Sequence, residues 1–186
     1  FSDTTTAVYL EAPGSLTFEM QDVAAIAAVA RRHDAYVIAD NTWATPLFFR
    51  PLEHGVDIAV VAGTKYLVGH SDVMIGTIAA NERAWRMVKE THGTLGMHVG
   101  PDDVYLALRG LRTMGLRLER QMASGLAVAR WLEGRPEVAR VLHPALPSGP
   151  GHARWRRDMT GASGLFGVVF EGWSEDDAKA FVDGLK

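Results

Sequence analysis

The sequence contains no cysteine, which excludes a disulfide scaffold, cysteine-ligated zinc and thiol catalysis. It also has no apolar run as long as the roughly 18 to 20 residues that a bilayer span requires. Its 19 basic residues are outnumbered by 22 acidic ones, which gives a formal net charge of -3. We therefore expect neither a nucleic acid nor a membrane as a partner, and we expect the protein to act in the cytoplasm.

The remaining composition is that of an ordinary globular protein, with 186 residues of which 47% are hydrophobic. Residues 35–39 and 57–62 form unbroken apolar runs, which are typical of strands buried on both faces. A β-branched and aromatic segment at residues 6–11 predicts an earlier strand, and the apolar stripe after Asp22 predicts a helix between them. Strands alternating with helices predict an α/β fold with a mostly parallel sheet. Residues 73–80 predict a further strand.

The second half begins with helices and then changes character. Residues 82–95 predict one helix, and Pro101 begins a long one in which Gly110 or Gly115 could introduce a bend. After residue 134 the pattern predicts strands at 138–143 and 164–170, followed by a helix that a capping box at Ser174 begins. We therefore predict a domain boundary near residue 134, with residues 1–134 in one domain and 135–186 in another.

Two charged residues follow the buried strands and indicate chemistry. Lys65 is one of only four lysines and comes just after the second apolar run, whereas Asp40 ends the first. The carboxyl edge of a parallel sheet is where open α/β folds bind ligands, and a partly buried lysine there is a good nucleophile. An aspartate paired with a lysine is also what pyridoxal phosphate chemistry requires of a protein. The plainer interpretation is that Asp40 caps a turn and Lys65 lies in a loop.

Four sequence segments carry a resemblance to a known family. The chain resembles the Cys/Met-metabolism family of pyridoxal phosphate enzymes, of fold type I, and within it the cystathionine β-lyase branch. The segments that carry the likeness are Ala39-Asp40-Asn41-Thr42-Trp43-Ala44, Gly63-Thr64-Lys65-Tyr66-Leu67-Val68-Gly69-His70-Ser71-Asp72, Arg109-Gly110-Leu111-Arg112-Thr113 and His143-Pro144. The resemblance implies that residues 1–134 are the carboxyl half of the large cofactor domain and that 135–186 begin a small α/β domain.

The resemblance also assigns roles to four residues. It implies that Lys65 forms the internal aldimine with pyridoxal 5'-phosphate and later serves as the base at the substrate Cα. It implies that Asp40 pairs with the pyridinium nitrogen, that Thr64 gives a hydroxyl to the cofactor phosphate, and that Thr42 lies against the ring. Ala62 stands where many relatives carry another phosphate-binding hydroxyl, so Thr64 and backbone amides are expected to compensate.

The implied reaction is the β-elimination of L-cystathionine to homocysteine, pyruvate and ammonia, so the expected partner is a small amino-acid thioether. Gly14-Ser15-Leu16 replaces the Ser-Asn-Pro of many relatives, which favours the β-lyase branch. One alternative is a γ-reaction, as in cystathionine γ-lyase, cystathionine γ-synthase or methionine γ-lyase. Another is a non-catalytic module that keeps the fold for assembly.

Members of the family are much longer than this chain, so we expect it to be part of a longer protein whose site it cannot complete alone. The resemblance further implies a homotetramer built as a dimer of dimers. Arg109, Arg112, Arg117 and Arg120 are predicted to serve subunit or domain contacts.

Histidines and neighbouring polar residues provide no pattern for a metal site, and we expect none. His33, His54, His92, His98, His143 and His152 are scattered without ligand spacing, so we interpret them as surface or capping groups. His70, Ser71 and Asp72 are consecutive, and residues so close in sequence rarely form a triad. We interpret them as a loop that shapes the site.

Overall fold

The computed structural model describes residues 1–185. The first part of the chain forms the strands and helices β1 (Ala7–Glu11), α1 (Val23–Arg32), β2 (Tyr36–Asp40), α2 (Thr45–Phe48), a 3-10 turn (Pro51–His54), β3 (Ile58–Ala62) and β4 (Gly76–Ala80). The four strands form one sheet in the order β1-β2-β3-β4. β1, β2 and β3 are parallel, and β4 is antiparallel to β3. The predicted α/β fold with a mostly parallel sheet is confirmed.

One face of the sheet packs on α1 and forms the main core. Leu10 pairs with Ala39 and Val8 with Val37, so the side chains in each pair point to the same face. The α1 residues that are buried against this face are Val23, Ala27 and Ala30. Asp22 caps the helix by accepting a hydrogen bond from the Ala25 amide at 3.2 Å. This burial of apolar surface fixes the parallel strands and aligns their carboxyl ends.

The opposite face of the sheet is open. Tyr9 on β1 is 60% exposed and Ile78 on β4 is 53% exposed. Because successive side chains of a strand alternate between faces, Asp40 points away from the face that buries Val37 and Ala39. Asp40 therefore belongs to the open face, at the end of its strand.

A buried carboxylate anchors the amino-terminal ends of the strands. Asp57, which is 1% exposed and precedes β3, accepts hydrogen bonds from the Val37 amide at 2.9 Å and from Asn81 at 2.9 Å. It also forms a salt bridge of 3.0 Å with Arg83. Full pairing offsets the cost of burying the charge, so we assign this cluster a structural role at the edge remote from Lys65.

The second part of the chain forms α3 (Glu82–Thr94), α4 (Pro101–Leu111), α5 (Met114–Glu133), β5 (Val138–Leu142), α6 (His152–Asp158), β6 (Gly167–Phe170) and α7 (Glu175–Asp183). β5 and β6 pair antiparallel in a separate two-stranded sheet. The helix predicted to start at Pro101 is interrupted after Leu111 and continues as α5. The capping box predicted at Ser174 is present, with Asp177 as its partner.

Segments beyond residue 134 also contact the first part of the chain. Arg157 forms a salt bridge of 2.9 Å with Asp22, and the Thr160 amide donates to the Phe48 carbonyl at 3.0 Å. Met159 and Ala162 are buried in the core that α1 and the large sheet share. The domain boundary near residue 134 stays a prediction.

Three expectations need correction. The strand predicted over residues 164–170 begins only at Gly167. The strand predicted over residues 73–80 begins only at Gly76, because Thr64 binds the backbone of Ile75 through its own amide and hydroxyl. His143, predicted to be a surface or capping group, is completely buried, although its Nδ1 does cap the backbone by accepting from the Ala145 amide at 3.1 Å. Within residues 1–185, no helix is both long and apolar enough to cross a membrane. The same residues contain no cluster of three or more histidine and acidic side chains that could hold a metal ion.

Candidate active site

A cavity of about 1140 Å³ opens at the carboxyl edge of the parallel strands. The loops that follow β1, β2 and β3 all reach it, as do α5 and the start of β6. Its lining includes Glu11, Thr42, Trp43, Lys65, Arg117 and Phe166. This is the edge where parallel α/β sheets bind ligands, and the structure brings three of the four predicted site residues into the lining: Thr42, Thr64 and Lys65.

Lys65 lies in a tight turn three residues beyond β3. Its amide donates to the Ala62 carbonyl at 3.1 Å, and its carbonyl accepts from the Gly69 amide at 2.8 Å. The Val68 amide donates to the Gly63 carbonyl at 3.0 Å and closes the turn from the other side. Lys65 is exposed, so the partial burial considered from the sequence is not observed, and within residues 1–185 its amine makes neither a hydrogen bond nor a salt bridge. The backbone is thus fixed while the amine stays available to a ligand in the cavity.

Asp40 is the last residue of β2 and pairs with Val60 of the neighbouring β3. One carboxylate oxygen accepts a hydrogen bond from the Thr42 amide at 2.8 Å. Asp40 is half-buried and stands outside the cavity lining. Burial, followed by the negative charges of Asp40 and Glu11, raises the pKa of Tyr9. Asp40 therefore presents a carboxyl group at the strand end, and within residues 1–185 only one of its two oxygens accepts a hydrogen bond.

Thr42 and Thr64 are both held by backbone groups. The Thr42 hydroxyl accepts a hydrogen bond from the Ala62 amide at 2.8 Å, which links the ends of β2 and β3. The Thr64 hydroxyl accepts from the Ile75 amide at 2.9 Å and donates to the Ile75 carbonyl at 3.2 Å. The side chains are consequently preorganised, and each hydroxyl keeps a proton that a ligand could accept: within residues 1–185 that of Thr42 has no acceptor, and that of Thr64 points to the Ile75 carbonyl.

Aromatic residues form one wall of the cavity. Trp43 is 8% exposed, and its indole N–H donates to the Leu165 carbonyl at 2.8 Å. Its ring meets that of His143 edge-on at 6.1 Å, and His143 lies 5.7 Å from the Phe166 ring. Burial, with the nearby charge of Arg130, lowers the pKa of His143 to about 4. His143 is therefore a neutral packing group at pH 7.

Arg117 on α5, expected from the sequence to serve a subunit or domain contact, instead lines the cavity and contacts the lysine turn. Its guanidinium donates to the carbonyls of Tyr66 at 2.9 Å and Leu67 at 3.2 Å, directly after Lys65. It also donates to the Gly110 carbonyl at 2.8 Å. The neighbouring Arg109 takes a different position and forms a salt bridge with Asp72 at 3.1 Å. The contact of Arg117 with Tyr66 joins residues 51 positions apart, so no local signal in the sequence predicts it.

Comparison with known proteins agrees with this geometry. The model of the Cys/Met metabolism PLP-dependent enzyme family matches residues 1–186, where PLP is pyridoxal phosphate. The chain belongs to this family. A protein of Rhizobium johnstonii, provisionally named a cystathionine β-lyase, is 58% identical over 190 residues that span 100% of this chain and 48% of that protein. Cystathionine β-lyase MetC of Escherichia coli is 50% identical over 166 residues, which cover 88% of this chain and 42% of MetC.

A solved structure of the family shows the same fold. The crystal structure of cystathionine γ-synthase from Xanthomonas oryzae pv. oryzae matches with a TM-score of 0.92 and 33% identity. The match covers 97% of this chain and 47% of the synthase chain. The 186-residue chain thus spans about half the length of the relatives it matches. The expected family, fold and cofactor class are confirmed.

The predicted site residues of the chain have side chains that suit part of the cofactor. The Lys65 amine suits the aldehyde of pyridoxal phosphate, and the Asp40 carboxylate suits a protonated ring nitrogen. For the phosphate, the Thr64 hydroxyl is the one predicted side-chain donor, and Ala62 offers no hydroxyl. Lys65 therefore offers suitable chemistry at the cavity itself, whereas Asp40 offers it from outside the cavity lining, and the phosphate has a single predicted side-chain donor.

Proposed function

We propose that the full-length protein is a pyridoxal phosphate-dependent carbon–sulfur β-lyase that cleaves L-cystathionine to homocysteine, pyruvate and ammonia. The observation that carries the proposal is the Lys65 amine, held at the cavity by a fixed turn and unengaged within residues 1–185. Similarity to proteins named cystathionine β-lyase, at 58% and 50% identity, supports the choice of reaction. When bound, the cofactor supplies an acceptor for the electron pair that the substrate Cα releases on losing its proton.

In this proposal Lys65 is the residue that would hold the cofactor, through its aldehyde, and it would also carry protons. Its amine lies at the cavity, where it would take the proton from the substrate Cα. It can then return a proton to the departing sulfur. The turn from Lys65 to Gly69 limits the movement of the backbone, so the amine is presented to both atoms from one position.

Asp40 would hold the cofactor at its ring nitrogen, because a carboxylate there would stabilise a proton on that nitrogen. The Thr42 amide, 2.8 Å from one carboxylate oxygen, orients Asp40 and leaves the second oxygen for the ring. Thr42 itself is proposed to lie against the ring, and Thr64 to donate its hydroxyl proton to the phosphate. These roles agree with the hydrogen bonds that fix both threonines, which leave the Thr64 proton free to change partner.

A γ-reaction is the second candidate function. The observation that favours it is the match to the structure of a cystathionine γ-synthase, with a TM-score of 0.92. The products separate the two reactions, because β-elimination of cystathionine gives pyruvate whereas γ-elimination gives 2-oxobutanoate. The higher identity to the proteins named β-lyase leads us to expect pyruvate.

The assembly and location remain proposals drawn from the family. We propose a homotetramer formed as a dimer of dimers, acting in the cytoplasm on a small amino-acid thioether. We likewise propose that residues 1–134 belong to the large cofactor domain and 135–186 to a small domain. The mass of the purified full-length protein in solution tests the first of these statements.

The function is tested by borohydride reduction of the full-length protein after incubation with pyridoxal phosphate. We expect an absorbance band at roughly 410 to 430 nm before reduction and, after it, cofactor attached to the peptide that contains Lys65. A Lys65→Ala variant should lose the band and the release of pyruvate. Lys89→Ala is the matched control, because Lys89 is on α3, where its amine lies 5.9 Å from the Trp85 ring.

Three results would overturn this assignment. Reduced cofactor on Lys89, Lys179 or Lys186 would move the nucleophile away from the cavity. Release of 2-oxobutanoate from cystathionine would replace the β-reaction with the γ-reaction. A complete lack of the absorbance band in the full-length protein would favour the non-catalytic module.

A further inference from the structure

We propose that Arg117 is a positioning residue that holds the turn from Lys65 to Gly69 and thereby presents the Lys65 amine to the cofactor. This inference rests on the proposed function of Lys65. Arg117 lies on α5, 52 positions after Lys65 in the chain, and its side chain contacts backbone atoms of the lysine turn.

The first argument is what Arg117 binds. The turn uses the carbonyls of Ala62, Gly63 and Lys65 for its own hydrogen bonds. The carbonyls of Tyr66 and Leu67 are left over, and both accept from the Arg117 guanidinium, at 2.9 and 3.2 Å. Carbonyls that are shielded from water require partners, so Arg117 completes the hydrogen bonding of the two residues that follow the lysine.

The second argument is how Arg117 is itself fixed. Its Nε donates to the Thr113 hydroxyl at 3.1 Å, and one terminal nitrogen donates to the Gly110 carbonyl at 2.8 Å. Both residues lie where α4 ends and α5 begins, so the guanidinium joins this junction to the lysine turn. Within residues 1–185 its hydrogen-bond acceptors are three carbonyls and one hydroxyl, and it forms no salt bridge. Its role is therefore to fix backbone segments.

The third argument is the shape of the turn. Gly69 has a φ of +73°, and a Cβ added there would overlap the guanidinium of Arg117. The glycine therefore serves two purposes, since it adopts a left-handed conformation and leaves the space that Arg117 occupies. The turn and the arginine fit each other, as expected if the arginine sets the position of the turn.

Only arginine suits this position. A planar guanidinium presents five N–H groups in a fixed fork, and here it contacts three carbonyls and a hydroxyl together. A lysine keeps the charge but has a single ammonium nitrogen, which cannot reach carbonyls on both the turn and the helix junction with the same geometry. Lysine is therefore expected to restore the function in part.

The test compares Arg117→Gln and Arg117→Lys with Arg120→Gln in the full-length protein. Arg120 is the matched control, because it lies on the same helix and is exposed. Two measurements use the cofactor-free protein: amide hydrogen exchange of residues 65–69, and the rate at which acetic anhydride acetylates Lys65, followed by peptide mass spectrometry. A third measures the rate at which added pyridoxal phosphate becomes trapped on Lys65 by borohydride.

For Arg117→Gln we expect exchange of the Gly69 amide to be about tenfold faster and cofactor capture about tenfold slower, with an altered acetylation rate. Arg117→Lys should fall between this variant and the wild type, whereas Arg120→Gln should match the wild type. A purely structural role would lower the thermal midpoint without a selective effect on residues 65–69 and on Lys65.

Exchange and capture rates in Arg117→Gln equal to those of Arg120→Gln would overturn the inference. Should Arg117→Gln fail to fold, Gly69→Ala provides a second test. The Cβ that it adds would displace the guanidinium of Arg117, although Arg117 itself is unchanged. Normal capture in a folded Gly69→Ala protein would contradict the inference equally. Trapping on another lysine in the wild type would instead refute the proposed function, while amide exchange would still decide whether Arg117 holds the turn.

Discussion

Gly110 on α4 lies directly against the carbonyl of Val68 in the lysine turn. A Cβ built on Gly110 would stand 2.6 Å from the Leu67 carbonyl oxygen and closer still to that of Val68. Gly110 is also buried, which is unusual for a residue in the last turn of a helix with both neighbours exposed. The helix backbone therefore supports the turn that carries Lys65, and the glycine is required for this close approach.

Replacing Gly110 with Ala is expected to push the turn away from the helix. Overpacking of this kind costs about 1–3 kcal/mol, which outweighs the gain of up to about 1 kcal/mol in helix propensity. We expect a lower thermal midpoint and slower capture of pyridoxal phosphate on Lys65 in the full-length protein. Gly115→Ala is the control, because its Cβ would meet no heavy atom within 4 Å. A Gly110→Ala protein as stable and as reactive as the wild type would show that the contact is dispensable.

Asp40→Asn tests whether a negative charge is required at the end of β2. The amide oxygen can still accept from the Thr42 amide, but the uncharged group cannot hold a proton on the cofactor ring nitrogen. We expect weaker cofactor retention and a fall in pyruvate release on the order of 100-fold or more. Asp40→Ala should be at least as damaging, since it also loses the hydrogen bond to Thr42.

The measurement is cofactor affinity by absorbance titration together with the rate of pyruvate formation from cystathionine. Asp102→Asn on α4 is the control, because Asp102 is exposed and remote from the cavity lining. Normal turnover in Asp40→Asn would contradict the assigned role.

His143 should make the stability of the protein depend on pH. Burial lowers its pKa to about 4, whereas the unfolded chain has a pKa near 6.5. Between these values the unfolded state binds more protons than the folded state, so stability is complete above about pH 6.5 and falls as pH decreases towards 4. The expected slope within this window is about 1.4 kcal/mol per pH unit.

The measurement is the urea midpoint of the cofactor-free full-length protein at several pH values from 7.5 to 5. His143→Gln should flatten the dependence, although loss of packing against Trp43 and Phe166 lowers stability throughout. His98→Gln, which alters an exposed residue, should leave the slope unchanged. Identical slopes in wild type and His143→Gln would rule out a buried neutral histidine.

Local signals in the sequence were enough to predict the two strand ends of the site. The apolar runs stop at Asp40 and near Lys65 because the buried part of each strand ends there, and the structure ends β2 at Asp40 and β3 at Ala62. The interruption of the long helix near Gly110 was likewise foreseeable, since glycine weakens a helix. Each of these features depends on residues that are close together in the chain.

The rest of the site depends on contacts between distant segments. Arg117 meets Tyr66 across 51 positions, and Trp43 meets Leu165 across 122. His143 is buried because Trp43 and Phe166 flank it in space, and no periodicity around residue 143 encodes that environment. Such contacts follow from how the sheet and helices pack, so one sequence gives no local signal for them.

Thr64 provides a test that separates cofactor binding from structure. Its hydroxyl has one proton and can accept a second hydrogen bond. It accepts from the Ile75 amide at 2.9 Å and donates to the Ile75 carbonyl at 3.2 Å, yet that carbonyl also accepts from the Thr64 amide at 3.0 Å. The proton can therefore turn to a phosphate oxygen without leaving the Ile75 carbonyl unsatisfied. Thr64→Ser should bind pyridoxal phosphate nearly as well as the wild type.

Thr64→Val retains the shape of the side chain and removes the hydroxyl. We expect it to weaken cofactor affinity by roughly 10-fold, the loss of one hydrogen bond to a charged group. The thermal midpoint of the cofactor-free protein should also fall, because the Ile75 amide loses its acceptor. Equal cofactor affinity in Thr64→Val and Thr64→Ser, with a fall in the midpoint alone, would show that Thr64 only fastens the loop before β4. The rate of pyruvate release at limiting and at saturating cofactor distinguishes these outcomes, since a loss of cofactor affinity alone is overcome at saturation.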